Sequence, residues 1–400
     1  NLSITDLKAA VNAVSKPKKQ STQNKIVNFV RSVASLFCDA EGKGYAEVPI
    51  NGHTEYHLIT SSLFKDFVSK SFYETTGSVL KKQDLNDAIY ALNGMALYSN
   101  DLRSVYLRCA KYAGDYYIDL CNSFWQVVKV TTFDWEVLDH SPVPFIRNKN
   151  MRPLPFPIKS KVDLSRLADN TNLSGDNLTL VLAFILEALR IDTPFAIAEI
   201  IGCQGSAKSF TQNIIRTLID PNLANLRAAP SSVEDVYISA KNNYMSSLNN
   251  VSRISAAIQD ALCNLATGGG AAKRKLYSDD EENVFDVKSP IIMNGIVDLS
   301  TSNDLIERAV KITLPSIKST NRKTEQTLET QLKIDIEFIY AGILDLFVET
   351  LAELPNINLG TLERMADFNI LGAAMVKTPT YKDLGLNSDF VAIYVNNLKQ

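Results

Sequence analysis

Apolar residues recur along this chain with two different periods, and the points where the period changes mark out its elements. IVNFVRSVASLF, starting at Ile26, carries apolar residues three and four apart and predicts an amphipathic helix. GYAEVPI, SVYLRCAKYAG, DYYIDL and FWQVVKVTT alternate as strands do, with Asp134 and Trp135 continuing the last of them. Residues 147–160, RNKNMRPLPFPIKS, hold three prolines in five positions and resist both helix and sheet, so a boundary is expected there. A helix-rich lead-in follows, with Leu178–Leu189 as a buried helix. Strand and helix patterns then alternate to about Ser316, and from Thr327 onward the three-and-four spacing is continuous. The expected organisation is a mixed head over 1–157 behind a polar, Lys-rich entry, an α/β core over 158–320 and a helical lid or tail over 321–400. No internal repeat is present.

The most informative of these transitions is FAIAEIIGCQGSAKS, residues 195–209. An apolar strand breaks at Gly202, Cys203, Gln204, Gly205, Ser206 and Ala207, and Lys208 and Ser209 then open an amphipathic helix. Small residues let backbone N–H groups close around phosphate oxygens, and the helix N-terminus adds positive charge. Lys208 is placed to reach the outer phosphates of a nucleoside triphosphate, and the Ser209 hydroxyl to ligate magnesium. The strict pattern has glycine where Ala207 stands.

Composition narrows the partners. The 41 basic and 44 acidic residues nearly cancel, so binding to nucleic acid requires locally focused basic groups. Five scattered cysteines without paired spacing point to reduced thiols and a cytoplasmic setting, that of the host cell for a viral protein. Three histidines are too few and too distant from those cysteines for a zinc site, although His53 and His57 would share a face if helical. No apolar stretch is long enough for a membrane span, so no membrane partner is expected. The chain begins at Asn1 without a methionine, which suggests a fragment with a missing N-terminal partner domain.

Downstream, YMSSLNN ends in Asn249 and Asn250 where a triphosphate site wants a carboxylate. AAKRKLYSDDEENVFDV reads as a hairpin with a basic strand and an acidic tip. The strand of SPIIMNGIVDL ends at Asn294, placed to sense a γ-phosphate, and DLIERAVKI presents Arg308 on a short helix, the arrangement of an arginine finger.

GCQGSAKS, LNNVS, QDALCNLATGGGAAKRKLYSDDEE, PIIMNGI, DLIERA and RMADF, in this order, resemble the helicase region of phage and mobile-element replication proteins, similar to superfamily III helicases among the AAA+ ATPases. The similarity covers about residues 170–375 and is weaker over 26–157. It implies an AAA+-like P-loop core binding ATP and Mg2+, between a mixed α+β head and a helical tail. Lys208 and Ser209 then contact phosphate and magnesium, and Asn294 is the sensor. Arg308 is a finger acting in trans, so a homo-oligomeric ring is implied, taken as a hexamer. Arg364 of RMADF is a second sensor reaching from the lid. Lys273, Arg274 and Lys275 would grip single-stranded or forked DNA, with Tyr277 stacking on a base. In several such proteins the region follows a primase–polymerase module. The family usually has aspartate where Asn249 stands and glycine at Ala207, which bears on catalytic rate more than on binding. The expected activity is an ATP-driven ring helicase. Its rivals are a non-catalytic scaffold ring that tethers a polymerase to its template, and a monomeric small-molecule kinase.

Overall fold

The computed structural model describes residues 20–269, 271–274, 282–285 and 287–399. The chain divides into two compact units, Asn1–Val105 and Tyr106–Gln400.

In the first unit, α1 (Thr22–Val33) starts four residues before the apolar periodicity, because the Ser21 side chain accepts from the Asn24 N–H and caps it. SLF, expected to continue that helix, instead begins β1 (Ser35–Cys38). β1, β2 (Gly44–Ile50) and β3 (His53–Leu58) form an antiparallel sheet in that order. α2 (Ser62–Thr76) and α3 (Lys82–Leu97) complete a core around Ile26, Val30, Phe64, Val68, Ala88 and Leu92. His53 and His57 lie on β3 and not on a helix. The strand period of two still puts them on one face, each at hydrogen-bond distance from Glu55 between them (3.1 and 2.9 Å).

The second unit opens with a four-stranded antiparallel sheet: β4 (Cys109–Tyr112), β5 (Asp115–Asp119), β6 (Val127–Val130) and β7 (Trp135–Leu138). Trp135 starts a new strand, because the Thr131 N–H and hydroxyl both donate to the Asp134 carbonyl and turn the chain. The two units divide at Val105/Tyr106, ahead of the proline-rich stretch where a boundary was expected. That stretch is pinned inside the second unit: the Arg152 N–H donates to the Pro221 carbonyl (3.0 Å) and that of Leu154 to the Leu120 carbonyl (3.0 Å). Buried Arg108 on the same side pairs with Asp220 (3.1 Å), and such a pair is retained only where every hydrogen-bonding group is met.

Helices α4 (Arg166–Asn170) and α5 (Gly175–Leu189) lead into the main sheet. Its elements follow as β8 (Ile197–Ile201), α6 (Lys208–Ile219), α7 (Val233–Asn242), β9 (Ser246–Leu248), α8 (Ala256–Thr267), β10 (Ala271–Arg274), β11 (Glu282–Phe285), β12 (Ile291–Gly295), α9 (Asn303–Ile306) and β13 (Ala309–Thr313). Four of these strands are parallel, in the order β13–β8–β12–β9. β8 and β12 are buried along almost their whole length, as a sheet covered on both sides requires, with Glu199 and Asn294 as their buried polar residues. β10 and β11 form a separate antiparallel pair with Lys273 opposite Asn283 and Arg274 opposite Glu282.

The remaining helices are α10 (Glu325–Glu353), α11 (Ala366–Met375), α12 (Pro379–Lys382) and α13 (Phe390–Leu398). They join the same core, with Phe368 against the rings of Phe390 and Tyr394. They also close an edge of the sheet. Asn397 exchanges two amide hydrogen bonds with the backbone of Lys311 (2.9 and 2.7 Å), and Asn177 does the same with Thr313 (3.0 and 2.9 Å). Two side-chain amides thus satisfy the outward backbone of β13, which would otherwise be an open strand edge. No helix of the described residues is long and apolar enough to cross a membrane.

Candidate functional site

In an open parallel sheet, ligands bind beyond the carboxyl ends of the strands, where neighbouring connections run in opposite directions. Here β8, β9 and β12 end together at Ile201, Leu248 and Gly295. A cavity of about 810 Å3 opens there, lined by the 204–210 loop and helix start, Asn250–Ser252 and Gly295–Val297.

The loop from β8 to α6 is tight. A Cβ on Gly202 would come within 2.7 Å of both the Leu314 carbonyl and the Ser206 hydroxyl. Gly205 has φ +78, and Arg322 lies against it. Ala207 also adopts the left-handed conformation (φ 62, ψ 26) at the N-cap of α6, which is why the strict motif prefers glycine there. Asn172 braces the loop from outside, donating to the carbonyls of Ser206 (3.1 Å) and Pro315 (2.7 Å). Neither Asn172 nor Arg322 was legible beforehand, because nothing in a local pattern marks a residue that braces a loop from more than thirty positions away.

Lys208 is the first residue of α6, and its ammonium folds back on the carbonyls of Gly202 (2.5 Å) and Cys203 (2.9 Å). The Ser209 hydroxyl donates to Asn249 Oδ1 (2.7 Å), and Asn294 Nδ2 donates to the same oxygen (2.7 Å). Asn294 Nδ2 also donates to Gln212 Oε1 (2.5 Å), and Asn294 Oδ1 accepts from the Asn250 N–H (2.9 Å). Gln212 completes the chain through Ser247 (2.9 Å). Lys208, Ser209, Asn249, Asn250 and Asn294 therefore come together, and Gln212 joins them because one helical turn places it on the face of α6 that meets β9 and β12. Every member of this network except Lys208 is neutral. No carboxylate lines the cavity among the described residues.

Arg308 and Arg364 are elsewhere. Arg308 is not on a helix but links α9 to β13, and its carbonyl accepts from the Ile197 N–H (2.9 Å) at the amino end of β8. Its guanidinium pairs with Asp304 (2.5 Å) and is largely covered. Arg364, just ahead of α11, binds Asp304 and Glu307 (both 2.6 Å). Hydrogen bonding to Arg308 holds the Asp304 carboxyl below its ordinary range, against a smaller opposing effect of burial. Of the residues expected on the DNA-gripping hairpin, Lys273 and Arg274 lie on β10, while Lys275 and Tyr277 lie outside the described residues.

Residues 163–388, more than half of the chain, match the model of the actinomycete integrative conjugative element replication protein family. The chain belongs to this family. No curated protein matches it. Among solved structures it is similar to the active helicase Cch of SCCmec type IV, with 14% identity, a TM-score of 0.46, and 92% of this chain and 74% of that one covered. It is also similar to the C-terminal region of NrS-1 in its apo A form, with 13% identity, a TM-score of 0.45, and 89% and 72% covered. A JCV helicase bound to a small molecule gives 13% identity and a TM-score of 0.27, with 55% and 63% covered.

Proposed function

We propose that the second unit of this replication protein is an AAA+-like P-loop ATPase that assembles as a ring and translocates on single-stranded DNA. The observation that carries the reading is the position of Lys208: its ammonium sits at the N-terminus of α6, under the loop leaving the central strand, with no acidic partner in the cavity. An unneutralised cation, the backbone of a small-residue loop and a helix N-terminus all favour a polyanion such as the triphosphate of ATP.

The oxygens of Ser209 and Asn249 suit magnesium, which takes hard oxygen donors and keeps several of its waters. When bound there, the ion would offset the charge of the outer phosphates. Asn294, linked to Asn249 and to the Asn250 backbone, would report the γ-phosphate to β12. The order β13–β8–β12–β9, with a strand inserted between the loop strand and the asparagine strand, supports the AAA+-like assignment of this core. The antiparallel β10–β11 pair supports the channel-hairpin role of the Lys273–Arg274 strand. An upstream primase–polymerase partner fits the family's role in replication. ATP binding and phosphate release, each with and without single-stranded DNA, test the proposal. Lys208→Ala should abolish hydrolysis, and undiminished turnover in that variant overturns it.

One observation favours a second reading, a nucleotide-bound scaffold ring with impaired hydrolysis: the amide network offers neither a base nor a negative charge at Asn249 and Asn250. Tight ATP binding with no DNA-stimulated phosphate release selects this reading over the motor.

A further inference from the structure

We infer that Arg364 is a second trans-acting arginine, delivered with Arg308 to the neighbouring subunit's nucleotide, and not a sensor for its own. This inference rests on the ring reading above and adds a residue to its interface.

The Lys208 loop leaves β8 after Ile201, at the carboxyl end of the strand. Arg308 is hydrogen-bonded to Ile197, at the other end of the same strand, about 13 Å away at ~3.3 Å per residue. Arg364 is fixed to that far end. Asp304 Oδ1 accepts from Arg308 (2.5 Å) and from Arg364 (2.6 Å), so one carboxylate oxygen holds both guanidinium groups. Glu307, the residue before Arg308, takes the other arm of Arg364 (2.6 Å). Neither arginine lines the cavity at Lys208. A side chain anchored on the two carboxylates just ahead of Arg308, one of which also holds Arg308, is kept beside it.

The pair also has the chemistry of a phosphate clamp. Two adjacent guanidinium groups present planar donor forks, which match phosphate oxygens better than ammonium groups do. Arg308 Nε is buried without a hydrogen-bond partner. The Arg364 side chain and its carboxylates are about half exposed, so an incoming polyanion can compete with them for Arg364 and, by drawing on the shared Asp304, loosen the more covered Arg308.

Subunit mixing tests this on the full chain. Equal amounts of two inactive variants are co-assembled, and ATP turnover is measured with single-stranded DNA. Lys208→Ala mixed with Arg364→Ala should recover about a quarter of the wild-type rate, because random mixing leaves that share of interfaces with both an intact loop and an intact arginine pair. Arg308→Ala mixed with Arg364→Ala should recover nothing, since both lesions fall on the same side of every interface. Arg364→Gln, which keeps length and hydrogen bonding, should repeat both results if Arg364→Ala folds poorly. Recovery in the second mixture but not in the first makes Arg364 a cis residue and overturns the inference alone. The control mixture, Lys208→Ala with Arg308→Ala, reports on the ring itself. If it recovers nothing, the ring reading falls and this inference with it.

Discussion

Ala207 and Asn249 are the two positions where the chain departs from the usual residue of its motif, and the structure gives each a different physical meaning. At Ala207 the departure is conformational. A left-handed alanine costs roughly 1 kcal/mol that glycine does not pay. Ala207→Gly should therefore raise the urea midpoint by an amount worth about 0.5–1 kcal/mol, less the extra chain entropy of glycine, and leave ATP binding intact. A lower midpoint would mean that the loop conformation is not strained. At Asn249 the departure is chemical. Both of its hydrogen bonds in the site, from Ser209 and Asn294, end on Oδ1, so a carboxylate at this position keeps them. Asn249→Asp should accordingly raise magnesium-dependent phosphate release by on the order of tenfold or more without disturbing the fold, and an unchanged rate would show that the amide does not limit turnover. The turn between β8 and α6 was legible from its residues because its conformation is set locally in sequence. Gln212 and Asn172 were not, because their roles arise from distant partners.

At the scale of elements, most strands and helices of the second unit follow from periodicity, since their burial is that of a two-sided sheet or a one-sided helix. Failures occur where a turn or a cap overrides the pattern, as at Ser21 and at Thr131–Asp134. The junction of α5 with β8 carries a measurable consequence. Glu187 is fully buried, and burial pushes its carboxyl up to about 8, opposed by the Ala196 N–H that it accepts. The native state thus keeps a proton that the unfolded chain releases in the ordinary carboxylate range. Between those two values the native state binds more protons, so stability should fall as pH rises, at up to about 1.4 kcal/mol per pH unit. Denaturation midpoints at pH 5.5 and 8.5 check this, and Glu187→Gln should flatten the difference. A wild-type midpoint that does not move with pH would mean that Glu187 is ionised in the folded protein.

At the scale of the whole molecule, the two guanidinium groups lie toward the amino end of the sheet and the lysine at its carboxyl end, the separation from which the trans assignment is inferred. In the proposed ring, Arg308→Ala should leave ATP affinity within a few-fold of wild type while cutting turnover by about 10^3-fold, the effect of removing an arginine finger. Light scattering with ATP and DNA should show an assembly of several subunits. A monomer with full turnover would overturn the arrangement.

The strand, the small-residue turn and the helix opened by Lys208 and Ser209 could be read from residue order, because each depends on neighbours within a few positions along the chain. Three things could not. The 106–157 segment joins the second unit because buried pairs such as Arg108–Asp220 and backbone bonds such as Arg152 to Pro221 tie it to residues far along the chain. The amides of Asn177 and Asn397 close one strand edge from opposite ends of that unit. Arg364 stands beside Arg308 because one aspartate oxygen holds both, an adjacency that only folding creates.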